Sequence, residues 1–349
     1  MDWTIDWAER AWLPDSIIRW GIRQRLKRWY RDADLEKSQE EKRALVQQLR
    51  QSPIALSTES ANTQHYEIPA EFFGKFLGRQ RKYSSCLWDA DVRTLDEAEE
   101  RMLALTAQRA GIHDGDRVLE LGCGWGSLTL WLARHFPQCT ILAVSNSSSQ
   151  REYIQSIAHR EGLGRIEIIT ADLNDFQTDR TFDRIVSVEC FEHLRNYQKM
   201  FARMSRWLTP KGRCLLHVFC HREFAYTFEG GESDWMGEYF FQSGIMPSED
   251  LFSYFNDDLC IVDRWRVSGR HYARTLNTWL DIFDTNRPAI EIILKDVYPP
   301  EQRRRWMQRW RLFFMGCAEL FAYADGNEWF VAHYLLAPHS DRAHSSTTD

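Results

Sequence analysis

No stretch of the chain approaches the ~20 consecutive apolar residues that would span a bilayer. The first ten residues, MDWTIDWAER, are acidic and lack the basic-then-apolar order of a secretory leader, so the expected location is cytoplasmic. There is no CxxC pair: the eight cysteines (Cys86, Cys123, Cys139, Cys190, Cys214, Cys220, Cys260, Cys317) are scattered, which reads as free thiols in a reducing compartment. Cys214, His217 and His221 could suggest a metal site, but their spacing falls on a predicted strand and its exit, and no metal is expected. Basic charge is not in excess either. With 44 Lys and Arg against 50 Asp and Glu the net charge is −6, which gives no overall nucleic-acid signature.

What is abundant is aromatic surface, 13% of residues with 15 Trp. Two readings stand side by side: a Trp-rich core, or a deep aromatic-lined pocket for a flat, cationic or apolar substrate. The 349 residues suffice for one large domain or two ordinary ones.

The organising stretch is Val118 to Ser127, VLELGCGWGS. An apolar β-type run ends at Glu120 and gives way to Gly122, Gly124 and Gly126, after which SLTLWLARHF has helical periodicity. A strand, a glycine turn and a helix follow one another, a device that lets backbone approach a ligand and aims free N–H groups at it. From Asp116 onward the pattern alternates. Strands are predicted at 117–121, 140–146, 165–171, 182–188 and 212–219, with helices at 127–136, 147–161 and 197–208 between them. Two later strands are predicted at 259–267 and 329–336. Strands apolar on both faces imply a mostly parallel, seven-stranded α/β sheet with a ligand crevice at the carboxyl ends of its strands.

Ahead of this core, residues 13–31 read as a helix with Asp15 as N-cap and Ile18, Ile22, Leu26 and Trp29 on one face. Its other face carries Arg19, Arg23, Arg25, Lys27, Arg28 and Arg31. Such a helix can lie on an anionic membrane or pack on its own domain, and the acidic residues from Asp32 to Glu41 favour packing. A second, polar helix is expected over 38–50. Thr94 and Glu97 form a capping box for a further helix running to about Arg109. Two insertions, about 221–246 and 268–327, are expected to form a helical lid, with Trp306, Trp310, Phe313 and Cys317 on one face of the latter. The division expected is an N-terminal helical region 1–64, a catalytic domain 65–337, and a disordered tail 338–349.

The discriminators of the ligand lie downstream of the glycines. The spacing is GxGxG rather than GxGxxG, and the second strand ends in Ser145-Asn146 rather than an acid, which argues against a dinucleotide. The third strand ends Ala171-Asp172-Leu173, where an acid can accept from an adenine amino group and the leucine can pack on the ring. The fourth ends Glu189-Cys190-Phe191-Glu192-His193. Together these resemble class I S-adenosylmethionine-dependent methyltransferases, which have a Rossmann-like fold. HYEIPAEFF, KYSSCLW, LELGCGWGSLTL, FDRIVSVECFEHLRNY, DWMGEYFF, HYARTLNTW and NEWFVAHYLL further resemble the cyclopropane fatty acid synthase superfamily, and within it the coclaurine N-methyltransferase-like branch. The resemblance implies S-adenosylmethionine contacts from Tyr83, Ser84, Gly122, Gly124, Gly126, Asn146, Gln150 and Asp172.

Methyl transfer from a sulfonium is an in-line displacement that needs a positioned nucleophile and a route for its proton. If a helical turn follows the fourth strand, Glu189, Glu192 and His193 share one face at i, i+3 and i+4, able to hold an amine cation and accept its proton. The resemblance gives this set that role and implies N-methylation of a small amine; for Glu189 a second reading is cofactor positioning through the methionyl or ribose groups. The alternative is methylenation of unsaturated acyl chains of membrane phospholipid, with peripheral membrane contact. It would call for a bicarbonate, held by matching residues Cys86, Glu192, His217 and Tyr272. A cofactor-binding protein without catalysis is a third class, disfavoured by the intact acid–histidine set. Oligomeric state is not written in the sequence.

Overall fold

A computed structural model describes residues 3–56, 68–231 and 234–339. The expected 1–64 region and the tail therefore fall partly outside the described residues, as do His65, Tyr66 and Glu67 of the HYEIPAEFF motif.

The main sheet has seven strands: β1 (Arg117–Leu121), β2 (Thr140–Ser145), β3 (Ile166–Thr170), β4 (Phe182–Val188), β5 (Leu208–His221), β8 (Leu259–Val267) and β9 (Trp329–Pro338). A two-stranded ribbon of β6 (Tyr226–Thr227) and β7 (Ile245–Met246) lies outside it. The order is β3-β2-β1-β4-β5-β9-β8, parallel from β3 to β5 and antiparallel at β5–β9 and β9–β8. The strand order reverses beside β1, so the glycine turn sits at the switch point where α/β sheets open a crevice. All seven predicted strands are present. Two run longer than expected: β5 starts at Leu208, pairing across an irregularity with Phe182, and β9 continues through Pro338, where the tail was expected to begin.

Helix Leu95–Ala110 starts with the expected capping box, both Thr94–Glu97 bonds being present, and ends on Gly111 in the left-handed conformation. The cap over the sheet is built from helices Gly269–Thr285, Arg287–Val297 and Pro300–Ala322. The N-terminal helices Trp3–Glu9 and Asp15–Asp32 pack on it and share its apolar cluster.

The charge pattern of helix Asp15–Asp32 follows from that packing. Asp15 is its first residue and not its cap; Pro14 holds the N-cap position, and Asp15 pairs with Arg311 at 2.6 Å. Arg19 and Arg23 both reach Glu319, at 2.9 and 2.6 Å, so part of the basic face is committed to the cap. Glu9 is wholly buried, accepting from Arg309 at 3.0 and 3.1 Å and from Trp235 Nε1 at 2.7 Å. It ties the N-terminus both to the cap and to the short helix Trp235–Tyr239 of the first insertion.

Glu9→Gln removes the carboxylate from buried Arg309, and breaking one side of a buried pair costs about 3 kcal/mol. Urea unfolding should show a lower midpoint with unchanged slope, and limited proteolysis should accelerate within residues 226–246.

Candidate active site

A cavity of about 450 Å³ lies at the carboxyl ends of β1 to β5, roofed by the first insertion and the cap. On one side it is lined by Tyr83, Ser84, Gly122, Gly124, Asn146, Gln150, Asp172 and Leu173, all residues expected to bind cofactor. The glycine turn has different reasons at each position. At Gly122, φ is +79° and a Cβ would stand 2.5 Å from Cys190 Sγ; at Gly124, φ is +51° and nothing lies within 4 Å, leaving room for a ligand. Gly126 does not line the cavity. It caps helix Ser127–His135, and its missing Cβ makes room for Ile154 on helix Ser148–Glu161.

Beneath the turn, burial pushes the Glu120 carboxyl up to about 8, opposed by a hydrogen bond from Thr129, so it is protonated at neutral pH. Gln150 accepts from the Ser145 hydroxyl at 2.6 Å, while its buried amide nitrogen has no protein partner among the described residues. An unsatisfied donor near the open space at Gly124 fits an oxygen-bearing cofactor.

The other side of the cavity carries the reactive groups. Glu189 follows β4 with φ +45°, a left-handed turn that sends its carboxylate back toward β5. Oε1 accepts from the Ser85 N–H at 2.8 Å and faces His217 Nε2 at 3.2 Å; Oε2 accepts from the Tyr272 hydroxyl at 2.5 Å. Burial raises the Glu189 carboxyl, while the charge of buried Lys82 and these donors pull it back. His193 lines the cavity against the ring of Phe241, 4.5 Å away. Desolvation first, then Arg195, lowers its imidazole to about 4, so it is neutral above that pH.

Glu192 departs from the expected arrangement. Residues 191–193 form a 3-10 turn rather than an α-helical one, and Glu192 is fully buried, accepting from the Phe219 N–H at 2.8 Å. It does not line the cavity, and burial followed by the Glu189 charge raises its carboxyl well above the usual range. The carboxylate that joins His217 and Tyr272 is Glu189. Cys86 also lies behind the wall, its thiol pointing to the Ser84 carbonyl at 3.6 Å and raised by burial. Cys214 falls on the opposite face of β5 from His217 and His221, as period-two alternation requires, so the three do not converge.

Sequence reading missed Lys82, which is fully buried and bonded to Ser84 and to the Ser85 carbonyl, the latter at 2.7 Å. It also missed His333, whose Nε2 is 2.9 Å from His217 Nδ1. Both lie inside motifs quoted above, KYSSCLW and NEWFVAHYLL. For His333 only the β5–β9 register, which sets it opposite His217, reveals its partner. Trp306 stacks on Tyr298 away from the cavity, whereas Phe313 and Cys317 line it and Trp310 is buried behind.

The sheet order, the glycine turn at its switch point and the acid after β4 define a class I methyltransferase. The profile of the mycolic acid cyclopropane synthetase family matches residues 55–329, and the chain belongs to that family. It is 36% identical to the (S)-coclaurine N-methyltransferase of Thalictrum flavum subsp. glaucum over 94% of this chain and 93% of that one. It is 29% identical to the cyclopropane-fatty-acyl-phospholipid synthase of Escherichia coli (strain K12), over 77% of this chain and 66% of that one. Among solved structures, a coclaurine N-methyltransferase bound to N-methylheliamine and S-adenosylhomocysteine superimposes with a TM-score of 0.91 at 37% identity, covering 96% of this chain and 98% of that one.

The two glycines should separate experimentally. Gly124→Ala adds only the left-handed cost of about 1 kcal/mol but places a methyl in the ligand's space. Calorimetric affinity for S-adenosylhomocysteine should fall at least tenfold with little change in melting temperature. Gly122→Ala, driven against Cys190, should lower both.

Proposed function

We propose that the chain transfers a methyl group from S-adenosylmethionine to the nitrogen of a small amine held in the aromatic half of the cavity. The carrying observation is the state of the acid that follows β4. Glu189 already takes the Tyr272 donor and faces His217 Nε2, the two groups that a bicarbonate would need, and Glu192 is turned away from them. A second anion at that point would meet a carboxylate with its donors committed. That arrangement supports an amine over an acyl chain whose methylenation calls for bicarbonate.

Tyr83, Ser84, Gly122, Gly124, Asn146, Gln150, Asp172 and Leu173 would hold the cofactor, which supplies a sulfonium-activated methyl group when bound. The chain's own residues do the rest. Glu189 draws a cationic amine to the inner end of the cavity by charge. Aromatic walls from Phe219, Tyr226, Phe228, Phe240, Phe241 and Phe313 orient it and exclude water. Attack needs a nitrogen lone pair, so the ammonium must first lose a proton. His193, neutral above about pH 4 and with no hydrogen bond to its ring nitrogens among the described residues, is placed to take it.

The cytoplasmic location is part of this proposal. Among the described residues no helix is long and apolar enough to cross a membrane, and all eight cysteines are free.

Incubation with methyl-labelled cofactor and, in parallel, a panel of cyclic and aromatic amines or phospholipid vesicles should place label on amine nitrogen; label confined to lipid would overturn the reading. His193→Ala should lower kcat by roughly 10²-fold or more, the usual contribution of a positioned base, with unchanged affinity for S-adenosylhomocysteine. Loss of that affinity instead would move His193 into the cofactor site.

A further inference from the structure

From Glu189 a line of hydrogen bonds runs away from the cavity through the sheet. His217 Nε2 lies 3.2 Å from Glu189 Oε1, His333 Nε2 lies 2.9 Å from His217 Nδ1, and Arg109 Nη1 lies 2.9 Å from His333 Nδ1. Arg109 stands near the end of helix Leu95–Ala110, its guanidinium 5.0 Å from the ring of Trp265 on β8. Both histidines are fully buried, so neither can turn to water for an alternative partner.

The direction of every proton in this line follows from its outer end. A guanidinium has only donors. His333 Nδ1 must therefore accept, which leaves the proton of a neutral ring on Nε2. That N–H can only donate to His217 Nδ1, and the His217 proton is then on Nε2, aimed at Glu189. We infer that Arg109 is a positioning residue for the reaction: by fixing the tautomers of His333 and His217 it presents an N–H to Glu189 and keeps that group an anionic carboxylate. Without it, both rings can reverse, and a lone pair on His217 Nε2 would face Glu189 Oε1, a contact satisfied only if Glu189 takes a proton.

The other groups around the line agree with this polarity. Burial, together with the positive charges of Lys82 and Arg109, holds both imidazoles well below their ordinary range and hence neutral. Around Glu189 stand Lys82, Tyr272, His193, the Ser85 N–H and Glu192, whose carboxyl is raised; on Arg109 the charge that acts is that of Asp263. None of these can supply the Nδ1 donor that His333 lacks when Arg109 is removed, and none faces His217 Nδ1.

The inference rests on the proposed role of Glu189 only for its kinetic consequence; the tautomers are testable without any substrate. A two-bond ¹H–¹⁵N spectrum of the ¹⁵N-histidine-labelled protein, with His217 and His333 assigned by His→Gln substitution, should show both protonated on Nε2. A proton on Nδ1 of either, or an imidazolium, overturns it. Arg109→Met should convert at least one ring to the other tautomer. With the acceptor found by the labelling assay, it should also move the acid limb of kcat/KM up by about one pH unit, and Arg109→Lys, again a pure donor, should restore both. Unmoved tautomers or an unmoved limb in a folded Arg109→Met protein overturn the positioning role. If that variant does not fold, the wild-type spectrum and the lysine variant decide.

Discussion

The reacting end of the cavity depends on one buried carboxylate. Placing Glu189 out of water costs several kcal/mol unless donors replace its hydration, and each hydrogen bond to a charged group returns about 1.5–3 kcal/mol. The donors come from three distant parts of the chain: the Ser85 backbone before β1, His217 in β5, and Tyr272 on the first cap helix. Lys82 lies alongside, its ammonium lowered by burial and held up in part by the charge of Glu189. Loop, sheet and cap must all be in place for the charge to be tolerated, so the site forms only when the whole fold does. The left-handed backbone at Glu189 is part of the same arrangement, since an extended residue there would continue β4 rather than turn the carboxylate toward β5.

Around that charge three histidines and two carboxyls are shifted toward their neutral forms. His193, His217 and His333 are lowered by burial, and Glu120 and Glu192 are raised by it. Glu189 lines the cavity while Lys82 does not, so on the cavity side a poorly solvated carboxylate exerts a field that water would otherwise screen. The consequence is selection by sign: a cation is drawn to Glu189, and an anion is repelled. Shape is then left to the aromatic walls, which carry no charge.

Much of this was legible in the sequence because parallel strands buried on both faces must be apolar runs, and because a glycine turn after the first of them has few uses. The cavity-lining set from Tyr83 to Leu173 followed from those two facts together with the family resemblance, with Gly126 the exception that packing claims. What could not be read locally was orientation. The ExxEH spacing puts Glu189, Glu192 and His193 together only on a helix, and a left-handed residue followed by a 3-10 turn separates Glu192 from the other two. Likewise Arg19 and Arg23 form an apparently solvated basic face until Glu319 is brought to them from the far end of the chain. His333 is one apolar-strand residue among many until antiparallel register sets it beside His217.

The abundance of tryptophan and phenylalanine resolves the same way, since core and pocket prove to be one layer. Trp279 is almost wholly buried yet also borders the cavity, stacked on Tyr83 at 5.5 Å, and Phe240 lies parallel to Phe313 at 4.6 Å across the insertion–cap contact. A wall whose rings are locked by their neighbours on the outer side presents a fixed shape on the inner one, and little side-chain freedom is left to be lost when a substrate binds. The insertions that supply these rings are anchored from outside by the N-terminal helices through Glu9, Asp15, Arg19 and Arg23. Residues that never meet the substrate therefore set how rigidly its pocket is held, while the choice of charge stays with Glu189.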